Sequence, residues 1–149
     1  MLRLNRSDRA YLAGILDGEG YIGLHLRKPS PASGGVNPYW LLRVAVNMSD
    51  KPVVDWLASL FPCSRSVARR DQRKSTYKRL YGVEWSATQA VMVLSAALPF
   101  MRGKKEQAEL ALSVVVPRYQ AGNRLMTNAQ RRAYTHAAKK IAALKRRSY

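Results

Sequence analysis

Two glycines four residues apart in a short helical stretch constrain the fold of this chain most. Leu12, Ile15 and Leu16 recur at helical spacing, and Gly14 and Gly18 share one face of that helix. Each glycine costs about 1 kcal/mol of helix propensity relative to alanine, so roughly 2 kcal/mol must be offset elsewhere. Small residues at this spacing let two helices approach closely. We expect the partner to be the same helix of a second copy of the chain, the alternative being packing on its own sheet.

This helix is predicted to begin at Ser7, whose side chain is a suitable N-cap, and to end at the glycines that follow Asp17. Apolar residues then alternate with other residues over two segments, which predicts two half-buried strands separated by a loop rich in Pro, Ser and Gly. The side chains predicted to face the core are Ile22, Leu24 and Leu26 in the first strand, and Leu42, Val44 and Val46 in the second.

The rest of the chain repeats this order of a helix followed by two strands. A helix opens at Asp50 and closes at Pro62, and strands are predicted over residues 64–71 and 76–85, with the facing residues of the former unassigned. Three helices follow. The first ends at Pro99, the second spans residues 104–116 and ends at Pro117, and the last is a basic segment covering about 123–149.

These elements predict one α+β domain over residues 1–149, with the order αββαββα. Two hairpins separated by a helix form an antiparallel four-stranded sheet with helices packed on a single face. The other face is left for a partner, and it offers His25, Arg27, Arg43 and Asn47. Such a two-stranded ribbon fits the DNA major groove, whereas the alternative is a merely solvated sheet face.

Charge points to a polyanionic partner. The chain has 26 Lys and Arg against 9 Asp and Glu, a formal charge of +17. The segment from Arg65 to Arg79 and the part after Arg118 are both strongly basic, the latter without any acidic residue. Nucleic acid is the favoured partner over an anionic membrane surface. With no long apolar run, no secretory signal and a lone Cys63, we expect an intracellular protein in bacterial or phage-host cytoplasm, or in an organelle.

The nine residues from Leu12 to Gly20, read LAGILDGEG, resemble the signature of the LAGLIDADG homing endonucleases. A second stretch, Leu98 to Leu110, is similar to the family segment that enters its last core helix. The resemblance implies the saddle-shaped sheet of this fold. It also implies a single-motif, homodimeric, intron-encoded meganuclease that cuts double-stranded DNA at a long pseudo-palindromic site.

The acid of this motif is Glu19, just past the helix end, where a two-fold dimer brings its two copies close together. Like charges at that spacing need a cation between them, and oxygen ligands suit Mg²⁺, with Mn²⁺ or Ca²⁺ as substitutes. Glu19 is therefore the predicted catalytic and metal-binding residue, with the carbonyl of Gly18 as a further ligand. Ala13, Gly14, Asp17 and Gly18 are assigned to the dimer interface, with Asp17 capping the partner helix.

Two further assignments follow from the resemblance. Lys104 matches the active-site lysine of the family, and Lys105 is the alternative. The remaining alternative is an ordinary surface lysine without a catalytic role. The polar residue that orients water falls on Met48, which cannot do so, and Asn47 or Ser49 is the substitute. The residues predicted to contact DNA are His25, Arg27, Arg43, Asn47, Arg69, Arg70 and Lys78.

Two other functions remain open at this point. One is a binding protein on the same fold, either an RNA maturase that aids intron splicing or a DNA-binding regulator that does not cleave. The other is a ribosomal or general RNA-binding protein, which the charge alone would suit equally well. The acid at Glu19 and the lysine at Lys104 favour cleavage over both.

Overall fold

The computed structural model describes residues 3–34, 37–61, 65–69, 79–120, 122 and 126–147. Its elements, in chain order, are α1 (Arg6–Glu19), β1 (Gly20–Arg27), β2 (Tyr39–Met48), α2 (Lys51–Leu60), β3 (Arg65–Arg69), β4 (Leu80–Ser86), α3 (Ala87–Ala97), α4 (Lys105–Gln120) and α5 (Asn128–Arg147). Two short 3₁₀ turns, Pro31–Ser33 and Leu98–Phe100, lie after β1 and after α3.

The start of α1 lies two residues earlier than the sequence pattern predicts. Asn5, not Ser7, is the N-cap, because its side chain accepts a 2.8 Å hydrogen bond from the backbone N–H of Asp8. The Asp8 carboxylate accepts from the backbone N–H of Asn5 in return. This reciprocal pair satisfies two backbone donors that a helix start leaves unpaired, so it outcompetes a cap by Ser7 alone.

The four strands form one antiparallel sheet in the order β1-β2-β4-β3. Its register separates two faces, because residues directly opposite one another point to the same side. Val44 pairs with Ile22 on one side and Trp85 on the other, and all three are fully buried. Ala45 pairs with Tyr21 and Glu84, which define the opposite, outer face. The helices cover the inner face, where the core lies.

The alternation predicted for β2 is confirmed, since Leu42, Val44 and Val46 are all buried. In β1 it holds for Ile22 and Leu24 but fails at Leu26, which is 58% exposed. Leu26 lines an open pocket together with Tyr119 of α4 and Tyr134 of α5, so its inward-facing parity does not bury it.

Helix α4 continues past the residue at which it was predicted to stop. Pro117 lies inside α4, which extends to Gln120. A proline removes one backbone hydrogen bond and costs about 3 kcal/mol within a helix. The packing of Ala111 and Val115, both fully buried on this helix, opposes that cost. The basic segment that follows contains α5, whose inward side carries the buried Tyr134, Ala137 and Ile141.

Candidate functional site

Glu19 is the last residue of α1, at the point where the helix passes into the sheet at Gly20. Its side chain is exposed. The carbonyl of Gly18 belongs to the last turn of the helix, where carbonyl groups have no partner within the helix. The C-terminal end of a helix also carries partial negative charge, which favours a cation nearby. Carboxylate and carbonyl oxygens at this position are therefore a suitable donor set for a hard divalent cation.

Asp17 holds the start of α4 in its own chain. Its carboxylate accepts hydrogen bonds from the backbone N–H groups of Arg102, at 2.7 Å, and Lys104, at 2.9 Å. Within the isolated chain this carboxylate therefore caps the start of α4, while its role as a cap for the partner's helix stays a prediction. The segment before α4 folds back against the end of α1, and this brings its free backbone donors to Asp17 of the same chain.

Lys104 in turn contacts the end of α1. Its ammonium donates to the carbonyl of Leu16, at 3.1 Å, and to that of Gly20, at 2.6 Å, so it caps the end of α1. Burial lowers the pKa of Lys104 below its ordinary value, and the negative charges of Asp17 and Glu19 act in the opposite direction. Two of the three ammonium donors are thus used by the backbone beside Glu19.

One side of α1 is bare in the isolated chain. Gly14 and Gly18 are exposed, and a Cβ built at either would have no other atom within 4 Å. Tyr11 on the same helix is half exposed and packs against Trp56 of α2, with ring centroids 5.2 Å apart. Ala13, by contrast, is 0% exposed within its own chain. The core of its own subunit covers Ala13, so unlike Gly14 and Gly18 it offers no exposed side chain for the predicted dimer interface.

The outer sheet face carries the polar residues that the alternation predicts. His25, Arg27, Arg43 and Asn47 all lie at register positions on this side. Tyr21, which the sequence analysis did not single out, donates or accepts a 2.7 Å hydrogen bond with Nε2 of His25. Burial is the largest cause that lowers the pKa of His25, followed by the charges of Arg27 and Arg43.

Gly23 makes the contact between Tyr21 and His25 possible. It lies between them on the same side of β1, and a Cβ there would meet the Tyr21 hydroxyl and the His25 ring. The absence of a side chain lets the two rings close over the strand, with centroids 5.8 Å apart. The two side chains therefore form one fixed unit on the outer face.

Arg43 occupies the middle of this face and pairs with Glu84 of β4. The distance from Nη2 to Oε2 is 2.7 Å. The hydrogen bond with Glu84 raises the pKa of Arg43, while burial acts against it. The guanidinium also lies over the Tyr21 ring, 5.7 Å from its centroid. Glu84 was missed by the sequence analysis, although its alternation with the buried Val83 and Trp85 places it on this side.

Helix α5 brings a further cation to the same corner. The ammonium of Lys145 lies 3.7 Å from the centroid of the Tyr21 ring. Burial, together with the positive charge of Lys104, lowers the pKa of Lys145 from 10.5 to about 8. No sequence signal identifies this residue, because its position depends on how α5 packs against β1. Lys104 and Lys145 thus both stand close to the residues that follow Glu19.

The remaining residues predicted to contact DNA or to orient water are the subject of fewer structural observations. Arg70 and Lys78 lie outside the described residues, and Arg69 is described only by its backbone, which pairs with Leu80. Met48 is partly buried and packs against the core, so it is not a water-orienting residue. Asn47 and Ser49, the two predicted substitutes for Met48, are both exposed.

The described part of the chain lacks two features. None of its helices has both the length and the apolar character to span a membrane. Within the same residues, no three His, Cys, Asp or Glu side chains come together as a group that would hold a metal ion.

No protein-family model matches the sequence, and neither does any curated protein. Solved structures of homing endonucleases, in contrast, resemble the fold. The crystal structure of I-CvuI with the I-CreI target has a TM-score of 0.71 at 16% identity, covering 93% of this chain and 82% of that one. The archaeal intron-encoded I-Vdi141I, complexed with DNA, gives 0.69 at 14% identity, with 93% and 84% covered. The LAGLIDADG meganuclease I-AabMI, bound to uncleaved DNA, gives 0.67 at 18%, with 93% and 48% covered.

The chain therefore has the LAGLIDADG homing-endonuclease fold. This confirms the predicted α+β class and the resemblance at the level of architecture. The motif that carries the resemblance is α1, and its acid lies at the junction of α1 with the sheet.

Proposed function

We propose that this chain is a homing endonuclease of the LAGLIDADG family, a single-motif domain over residues 1–149 that pairs with a second copy. The dimer cuts double-stranded DNA at a long pseudo-palindromic site by metal-dependent hydrolysis. The observation that carries the proposal is the exposed Glu19 at the end of a helix whose glycine side is bare. The DNA complexes of I-CvuI and I-Vdi141I support the choice of partner.

DNA binding is assigned to the outer sheet face and to the basic end of the chain. His25, Arg27, Arg43 and Asn47 lie at outer-face positions of the sheet, and the formal charge of +17 supplies affinity for phosphate. Arg69, Arg70 and Lys78 extend the same prediction to the second hairpin. Binding of this kind weakens steeply as the salt concentration rises.

The cleavage site is assigned to Glu19 and the carbonyl of Gly18 from each of two chains. Glu19 lies beside Gly18, and pairing of two α1 helices along Gly14 and Gly18 would bring both carboxylates to the dimer axis. Mg²⁺, when bound, supplies positive charge for the scissile phosphate and for a water nucleophile. Lys104 adds positive charge from the protein while keeping the end of α1 in place. Asn47 is available to hydrogen-bond water.

Cleavage is tested with duplexes that the protein itself selects from a randomised library without Mg²⁺. End-labelled selected duplexes are then incubated with Mg²⁺, wild-type protein, Glu19→Gln and the matched control Glu106→Gln, which removes an exposed acid on α4. We expect the wild type and the control to cut both strands. Glu19→Gln should bind equally well and cut at least about a hundred-fold more slowly.

Three other outcomes of this experiment would contradict the proposal. Cutting by Glu19→Gln at the wild-type rate would remove Glu19 from the mechanism. Selective binding without any cutting by the wild type would indicate a DNA-binding regulator. Preference for structured RNA over every selected duplex would indicate a maturase or a general RNA-binding protein.

Dimer formation is tested by Gly14→Ala, because two effects then have opposite signs. In the isolated chain the new methyl group meets nothing, so alanine should stabilise the helix by about 1 kcal/mol. In a dimer packed along Gly14 it should weaken association, measured by sedimentation velocity. A variant that is more stable and associates as well as the wild type would refute pairing through this helix.

A further inference from the structure

We propose that Glu84 sets the base preference of this protein by holding Arg43 in position to contact a guanine. This inference rests on the proposed binding of DNA by the outer sheet face. It concerns base preference at one position and does not depend on cleavage.

Arg43 is held from two sides. Glu84 accepts its hydrogen bond at 2.7 Å on one side, and the ring of Tyr21 lies 5.7 Å from the guanidinium carbon on the other. Tyr21 is itself fixed by its hydrogen bond with His25. The side chains of Arg43 and Glu84 are 27% and 24% exposed, so the pair lies within the sheet surface rather than extending freely into solvent.

The nitrogen atoms of the Arg43 guanidinium differ in their hydrogen bonds. Nη2 is bonded to Glu84, and the buried Nε has no hydrogen-bond partner among the described residues. A guanidinium has five N–H donors, and the outer end carried by Nη1 and Nη2 is the part that can meet a ligand. That end matches the O6 and N7 acceptors of guanine in the major groove, which an arginine contacts through two parallel hydrogen bonds.

An acid at this place is costly for binding phosphate. On the described parts of β1, β2 and β4, Glu84 is the only acidic residue at an outer-face position. A carboxylate there repels the DNA backbone and reduces affinity for DNA of any sequence. It also removes much of the tendency of Arg43 to pair with phosphate instead of a base. Glu84 is thus a positioning residue that exchanges general affinity for selectivity.

The test compares base preferences by selection from a randomised duplex library at one fixed salt concentration, without Mg²⁺. The proteins are the wild type, Glu84→Gln, Arg43→Gln, the double variant, and Asp55→Asn. The last is the matched control, because it removes one acid from an exposed ion pair on α2, which packs on the inner face. Thermal unfolding of every variant verifies that it folds, and Arg43→Lys serves if Arg43→Gln does not.

We expect the wild type to prefer G·C by about ten-fold or more at one position of each half-site. Glu84→Gln should lose that preference at the same position and bind random-sequence duplex more tightly than the wild type. Arg43→Gln should lose the same preference, and adding Glu84→Gln to it should change the preference no further. Asp55→Asn should keep the wild-type profile.

Two results overturn the inference. An unchanged preference in Glu84→Gln, or a change at a base pair different from the one that Arg43 affects, shows that Glu84 does not act through Arg43. A wild type that binds all duplexes alike refutes site-specific recognition itself, and with it the proposed function. The two failures are therefore distinguishable.

Discussion

Replacing Asp17 by alanine tests whether this residue stabilises its own chain. The change removes two hydrogen bonds to the backbone N–H groups of Arg102 and Lys104, at 2.7 and 2.9 Å. Hydrogen bonds to a charged group contribute about 1.5–3 kcal/mol each, but water can reach this end of the helix and replace part of them. Loss of an acidic cap costs about 0.5–2 kcal/mol. We therefore expect a loss of about 2 kcal/mol.

The assay is thermal unfolding followed by circular dichroism, at protein concentrations below and above the midpoint of the proposed self-association. A loss of about 2 kcal/mol corresponds to roughly 4–8 °C in Tm for a chain of this size. Asp17→Asn keeps one carbonyl acceptor and should lose about half as much. Asp55→Ala, which breaks only an exposed pair on α2, should lose less than about 1 kcal/mol.

The dependence on concentration decides between the two assignments of Asp17. A cap within the chain gives the same loss at every protein concentration. A cap on the partner gives a loss only where the dimer is populated. If the loss caused by Asp17→Ala disappeared on dilution, the contact with Arg102 and Lys104 would have no energetic role, and the reasoning above would be refuted.

Three further predictions concern single residues. Gly20→Ala should destabilise the chain by about 1–3 kcal/mol in urea unfolding, because the new Cβ would meet backbone atoms of Leu16, and wild-type stability would contradict this. Trp85→Ala should cost about 3–5 kcal/mol by the same assay, since this side chain is fully buried, and a cost below about 1 kcal/mol would contradict its place in the core. Lys145 should titrate near pH 8 by NMR, and Lys104→Met should raise that pKa; no movement would contradict the coupling. Since the folded pKa lies below 10.5, stability linked to Lys145 should fall as the pH drops from about 10 to 8.

Side-chain alternation predicted the sheet well, because strand parity is a local property. The outer-face positions of His25, Arg43 and Asn47 follow from the burial of their neighbours in sequence, and the register confirms them. The same alternation places Glu84 on the outer face, between the buried Val83 and Trp85. Strand ends are less predictable, as Leu26 illustrates, because alternation gives the side that a residue faces but not how closely the helices pack against it.

Contacts between distant segments could not be predicted in this way. Asp17 is 85 residues from Arg102, and only the packing of α4 against the end of α1 brings them together. Lys145 reaches Tyr21 for the same kind of reason. The burial of Ala13 depends on which sides of α1 its own subunit covers, and a pattern of small residues does not specify that.

Asp17, on α1, accepts a hydrogen bond from the backbone N–H of Lys104 just before α4. Lys104 in turn donates to backbone carbonyls at the end of α1. Losing one of them exposes backbone groups on one helix while leaving the opposite charge on the other uncompensated. A variant with only one of the two residues replaced should therefore be less stable than the present chain and than a chain in which both are replaced. The two positions are expected to resist stepwise change for this reason. Directed evolution aimed at Glu19 and at the metal dependence proposed for it should therefore hold these two positions constant. Sequence diversity in the library is better placed on the outer sheet face.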